Sequence, residues 1–270
     1  MTPVPYRKSG KLLIDRNGPV TTIILNRPKV HNALDREMSA EFNAVVREIN
    51  VDRECRILII KGAGDTFCAG DDIKGFNDWT EEEGPWEVRL YQDTANIIEN
   101  MRPVTIAQVD GVCTGGGLEI TLVCDFVVAT DRSRWGMPEI NWDITPGWGG
   151  TSRLTKFAGR RKAKEWNLTG MLFDGKTAER HGLVNRITTP DRLEADVKAL
   201  VDTMLDKSLL TVCCTKHFLN SGAEASTQIG LAFEGAPRRQ TFAEAQGIRD
   251  FVTSTSRDKR RALPTALWQD

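Results

Sequence analysis

The sequence predicts an α/β fold with largely parallel strand pairing, on three observations. Short runs rich in β-branched residues alternate with amphipathic stretches through the first half of the chain. Two of these runs end in glycine-bearing turns that allow unusual backbone angles and from which a helix can start. From about Gly159 onward the pattern turns helical, with glycine or polar breaks between successive segments.

The elements follow in order. KLLIDRNG and VTTIIL read as a hairpin about Asn17-Gly18, a pair that favours tight reversals. In DREMSAEFNAVVREIN, residues Met38, Phe42, Val45, Val46 and Ile49 share one helical face, and Asp35 is placed to cap the N-terminus. RILIIKG is a buried strand, followed by the polar loop FNDWTEEEGPW and a helix around VRLYQDTANIIENM. The order then repeats, with PVTIAQVDG a strand, a helix opening at GGGLEITLVCDF, and FVVAT another strand. RRKAKEWNLTG, TAERHGL, RLEADVKALVDTMLDK and SLLTVCCTKHFLNSG are the later helices. No strong period of about 20–50 residues is present, which argues against a solenoid.

Composition narrows the function. The chain has 270 residues, enough to bury a substantial core, and 36 basic against 37 acidic side chains give a formal charge of −1. That balance gives no support for a nucleic-acid or membrane-surface partner. The apolar runs are too short to span a bilayer, and MTPVPYRKSGK lacks the apolar stretch of a secretory signal. The six cysteines include no C-x-x-C pair and there are three histidines, so free thiols in a reducing cytoplasm are expected, with no metal site.

Three stretches carry chemistry. DTFCAGDDIKGF (65–76) and GVCTGGGLE (111–119) each follow a strand, and their peptide N–H groups could converge on one oxygen as an oxyanion hole. WGMPEINWDITPGWGG (135–150) sets Glu139 behind a proline, and with Glu119 it could form a carboxylate pair that divides acid and base work. Each has a plainer reading. The triple glycine matches no phosphate-loop or dinucleotide pattern and could be a tight turn; Glu119 could be a first-turn glutamate, and Asp71 and Asp72 loop or capping groups. Their joint order favours the chemical reading.

That order is also where a resemblance enters. LNRPKVHNAL, FCAGDDIKGF, GVCTGGGLEITLVCD, WGMPEINWDITPGWGGTSRL, AGRRKAKEWNLTG and AERHGLVNRI together resemble the crotonase, or enoyl-CoA hydratase/isomerase, superfamily over roughly residues 10–260. The resemblance implies a spiral of repeated ββα units over residues 1–204 and a C-terminal helical region over 205–270 that packs on neighbours in a trimer or a pair of trimers. It implies an acyl-CoA thioester substrate and an enoyl-CoA hydratase-type lyase that needs no cofactor beyond the coenzyme A of its substrate. By position, the N–H groups of Asp71 and Gly116 would hold the thioester oxygen, with the Asp71 carboxylate turned away. Lys29, Ala69, Asp72, Ile73 and Lys74 would line the coenzyme A path. Glu119 would act mainly on water and Glu139 mainly on the α-proton.

Three departures refine the expectation. Trp142 and Trp148 flank Glu139, Trp79 and Trp86 lie in the segment expected over the acyl pocket, and the ending RDFVTSTSRDKRRALP is long. Indole surfaces there would suit a cyclic or aromatic acyl group, with Trp142 counted among the substrate contacts. Hydratase-lyase, isomerase and C–C hydrolase chemistries remain alternatives on the same scaffold. An RNA-binding or structural protein is the non-enzymatic alternative.

Overall fold

A computed structural model describes residues 9–78, 80, 83–235, 241, 243, 245, 246, 248 and 249. Trp79 and most of the C-terminal ending lie outside the described residues. The chain divides into two units, Met1–Val197 and Lys198–Asp270.

In the first unit a six-stranded sheet runs in the order β1-β2-β3-β4-β6-β9. Its strands are β1 (Leu12–Asn17), β2 (Val20–Leu25), β3 (Ile57–Gly62), β4 (Val104–Val109), β6 (Phe126–Thr130) and β9 (Arg186–Thr188). Only β1 is antiparallel to its neighbour; β2 to β9 pair in parallel. Every residue of β4 is buried, which is why PVTIAQV reads as a continuous run and not as an alternation. The hairpin register pairs Asn17 with Val20, so Gly18 and Pro19 form the turn, one residue later than expected. Proline has no N–H to give a ladder and is confined to the reversal.

Between β2 and β3 runs α1 (Arg36–Val51), capped by the Asp35 carboxylate, which accepts from Met38 N at 2.9 Å. Its apolar stripe is buried as the spacing requires. The Phe42 ring alone accounts for roughly 1.5–3 kcal/mol of burial free energy. Helix α2 (Glu83–Asn100) packs against α1, and Asn43 Nδ2 donates to Thr94 Oγ1 at 2.8 Å between them.

A second, three-stranded sheet escaped the sequence reading. It consists of β5 (Val112–Thr114), β7 (Arg134–Gly136) and β8 (Leu172–Asp174). Strand β5 leads into the short helix α3 (Gly116–Thr121), and β7 leads into a 3-10 turn, Pro138–Trp142. Helix α4 spans Gly150–Thr169, bent at Gly159 where the backbone is not helical. The remaining helices are α5 (Gly175–Arg180) and α6 (Leu193–Leu205).

The second unit holds α7 (Leu209–Ala223) and α8 (Thr227–Gly235), which pack on each other. Ser208 caps α7 through Thr211 N.

Candidate active site

The two glycine turns are joined by backbone hydrogen bonds. Phe67 N and Cys68 N both donate to Val112 O, at 3.1 and 3.0 Å, and Thr114 N returns a bond to Cys68 O at 3.0 Å. Thr114 Oγ1 adds a donation to Ala69 O at 3.0 Å. Glycine is required at two points. Gly115 sits at φ 53°, where a side chain is strained, and a Cβ on Gly117 would stand 2.2 Å from Cys68 O.

The first turn is also fixed from its other side. Asn32, buried and with positive φ, accepts Arg27 N through its side-chain oxygen and donates to Ala63 O and Thr66 O at 3.0 and 2.7 Å. Ala69 N donates to His31 O, Leu34 N to Gly70 O, and Asp72 N to Leu34 O. Because residues 70 and 72 supply the bonds to Leu34, the peptide N–H of Asp71 faces away from Leu34. Neither it nor the N–H of Gly116 has an acceptor among the described residues. The loops that carry them lie close, since a Cβ built on Gly70 would stand 3.1 Å from the Gly116 nitrogen.

Both glutamates reach this junction. Glu119, on α3, is 1% exposed, and its Oε1 accepts from Gly150 N at 2.5 Å. Glu139, on the 3-10 turn, is 9% exposed, and its Oε2 is buried without a hydrogen-bond partner among the described residues. Its Oε1 lies 3.0 Å from where a Cβ on Gly115 would be. An orphaned carboxyl oxygen of this kind is costly unless a ligand or water meets it. Burial pushes Glu119 up to about 8, with the charge of Glu139 adding and the Gly150 N–H opposing. Burial likewise lifts Glu139 to about 7.

The Asp71 carboxyl, expected to turn away from the thioester oxygen, is held against the Trp148 indole. Oδ1 accepts from the Trp148 indole N–H at 3.3 Å and lies 3.5 Å from where a Cβ on Gly116 would be. Trp148 is itself fully buried and stacked on Tyr91 at 4.8 Å between ring centroids. It is therefore a core residue that supports the site, not an open shelf for an acyl group. Sequence reasoning missed this, as it missed Gly150; the glycines around Trp148 in GWGG were the available signal for a tightly approached loop.

The other expected residues fall into two groups. Ala69 and Asp72 are partly buried in the first turn, and the Asp72 carboxylate is engaged by Arg27 at 2.9 Å. Lys29, Ile73 and Lys74 are exposed on the two short 3-10 turns, Pro28–Val30 and Ile73–Asp78, that flank that loop. Trp142 is 58% exposed at the end of the turn that carries Glu139, and Trp86 is exposed on α2.

A sequence model of the family described as "Enoyl-CoA hydratase/isomerase" matches residues 15–257. The chain belongs to the enoyl-CoA hydratase/isomerase family. A Rhizobium meliloti protein described as a "Probable enoyl-CoA hydratase" is 34% identical over 251 residues, covering 89% of this chain and 94% of its own. The crotonyl-CoA hydratase of Syntrophomonas wolfei is 32% identical over 255 residues, covering 93% of this chain and 96% of that protein. The crystal structure of an enoyl-CoA hydratase from Mycobacterium smegmatis superposes with a TM-score of 0.87 at 27% identity, covering 93% and 97% of the two chains. The mixed α/β architecture with its parallel sheet is thus the fold of the enoyl-CoA hydratase/isomerase family.

Proposed function

We propose that the protein hydrates 2-enoyl-CoA thioesters, adding water reversibly across the α,β double bond. One observation carries the reading. Two buried carboxyls, one with an oxygen that has no hydrogen-bond partner among the described residues, sit beside two backbone N–H groups that lack acceptors among those residues. The names of the relatives agree with it.

The chemistry follows from the geometry. The thioester oxygen accepts from Asp71 N–H and Gly116 N–H, which draws electron density from the β-carbon. Glu119 takes a proton from water as its oxygen bonds to that carbon, and the displaced π electrons collect on the held oxygen as an enolate. Neutral Glu139 then gives its proton to the α-carbon. The two acids must therefore share a single proton, which the charge of Glu139 favours by raising the proton affinity of Glu119. Hydration uses the arrangement with that proton on Glu139, although Glu119 is the more strongly raised of the two. Losing one oxyanion donor typically costs about 2.7–4 kcal/mol of barrier. Lys29, Ala69 and residues 72–74 border the same loop and are the proposed coenzyme A contacts. Assembly as a trimer or a pair of trimers belongs to the same proposal.

The cyclic or aromatic refinement now has a narrower basis. With Trp148 in the core, it rests on the exposed indoles of Trp142 and Trp86. The deciding experiment offers linear, cyclic and aryl 2-enoyl-CoA thioesters in labelled water, with mass spectrometry of the products. A 3-hydroxyacyl-CoA carrying the label is expected. Shifted double bonds without label, or a cleaved acid, would overturn hydration in favour of isomerase or hydrolase chemistry.

A further inference from the structure

We infer that the Asp71 side chain sets the charge of the oxyanion hole: as a neutral acid, held by the Trp148 indole, it leaves the donors free to accept negative charge, and on ionising it closes them to it. The inference rests on the reading that Asp71 N–H and Gly116 N–H hold the thioester oxygen.

The geometry comes first. The same residue offers a backbone donor to the oxygen and carries a carboxyl only one side chain away. That carboxyl is not directed to bulk water but is fixed at 3.3 Å from the Trp148 Nε1, beside Gly116. The indole cannot move aside easily, being fully buried, stacked on Tyr91 and close to Phe42.

Among the described residues, none supplies a positive charge paired with Asp71. From α2, Glu87 and the Tyr91 phenol face it; from α3 comes Glu119, and from the 3-10 turn Glu139; the Cys68 thiol lies on its own loop. The nearby cations are committed elsewhere. Arg36 of α1 pairs with Glu87 at 2.8 Å, and Arg27 pairs with Asp35 and Asp72 at 3.3 and 2.9 Å. No Lys or Arg pairs with Asp71 among the described residues. Burial foremost, with Glu139 and Glu87 adding and the indole N–H opposing, raises Asp71 to about 7. A carboxyl kept neutral by its setting can coexist with a developing oxyanion, whereas an ionised one at this distance opposes it.

The test uses acetoacetyl-CoA, whose enolate presents the charge without turnover. Its binding is followed by calorimetry from about pH 6 to about pH 9 in the Glu119→Gln/Glu139→Gln protein, where the other two acids are silent. The same series is run after adding Asp71→Asn, which keeps an acceptor for the indole. The ligand's own enolisation is common to both proteins and cancels in their ratio. The parent is expected to lose about tenfold more affinity than the Asp71→Asn protein as Asp71 ionises. Trp148→Phe in the parent removes a bond that favours the carboxylate, so its loss of affinity moves to higher pH. Equal pH dependence with and without Asp71→Asn overturns the inference while leaving hydration intact. Absence of binding at every pH overturns it together with the oxyanion reading. A wild-type protein that binds with this dependence but hydrates no enoyl-CoA would sink the proposed reaction alone. A ligand-free check is the carbon NMR titration of the aspartate carboxyls: one resonance should titrate near neutrality and vanish in Asp71→Asn, and its absence overturns the inference.

Discussion

The two glutamates are held in contrasting ways. Glu119 rides a helix, is almost fully enclosed, and has one oxygen taken by Gly150 N–H. Glu139 sits in a 3-10 turn entered through a proline, is slightly more open, and keeps one oxygen without a partner among the described residues. A clamped carboxylate is suited to orienting a water molecule at a fixed point. A carboxyl with a free oxygen is suited to carrying a proton to a substrate atom. The division of labour proposed above rests on how each side chain is tethered, not on proton affinity, which burial raises in both.

The strongest way to break this comparison is to remove one acid at a time. Glu119→Gln and Glu139→Gln should each lower kcat by roughly 10²–10⁴-fold with little change in acyl-CoA binding. Turnover near wild type in either would remove that residue from the mechanism. Next comes the clamp itself. A Cβ on Gly150 would stand 2.7 Å from both Glu119 Oε1 and Met137 Cε. Gly150→Ala should therefore displace the carboxyl and cost about 10²-fold in kcat, as small misplacements do. The same change should leave Glu139-dependent proton exchange at the α-carbon of a saturated acyl-CoA far less affected. Equal losses in both reactions would mean that the two acids do not work separately.

Stability against pH sharpens the contrast differently. Glu119 is raised to about 8 when folded, well above its ordinary value near 4.5. The native state therefore holds a proton that the unfolded chain has released across this window. Its contribution is fully present below about 4.5 and is lost as pH rises through about 8. Glu119→Gln should make the protein more stable than wild type at about pH 9, on the order of a few kcal/mol. Glu139→Gln should do the same more weakly, because Glu139 is raised only to about 7. Urea unfolding of the three proteins at two pH values would show it, and a larger gain from Glu139→Gln would reverse the assignment of the more confined acid.

What the chain revealed in advance was its locally determined part. The Asp35 cap and the stripe of α1 are legible because one turn of helix decides them. Strands β3 and β4 are legible because buried parallel strands need unbroken apolar runs. Glu119 and Glu139 were visible through glycine and proline placements that force the chain's path. Strands β5, β7 and β8 were not, since three residues are too few to display an alternation. The orientations of Trp148 and the Asp71 carboxyl were also hidden. They depend on the stack against Tyr91 and the indole bond across the fold, which no local pattern encodes.

The smallest expected effect concerns Trp142, which shares its turn with Glu139 while projecting outward. At 58% exposure it contributes little packing, so Trp142→Ala should change unfolding free energy by no more than about 0.5 kcal/mol. Its effect on substrates separates two uses of that exposure. If the indole receives a ring, KM for an aryl enoyl-CoA should rise several-fold while KM for crotonyl-CoA stays put, because an aromatic pair is worth about 0.5–1.5 kcal/mol beyond its area. If KM rises equally for both, Trp142 works by holding the turn and hence Glu139, and kcat should fall with it. An indole surface and a proton donor on one short turn would thus be distinguished by which kinetic constant moves.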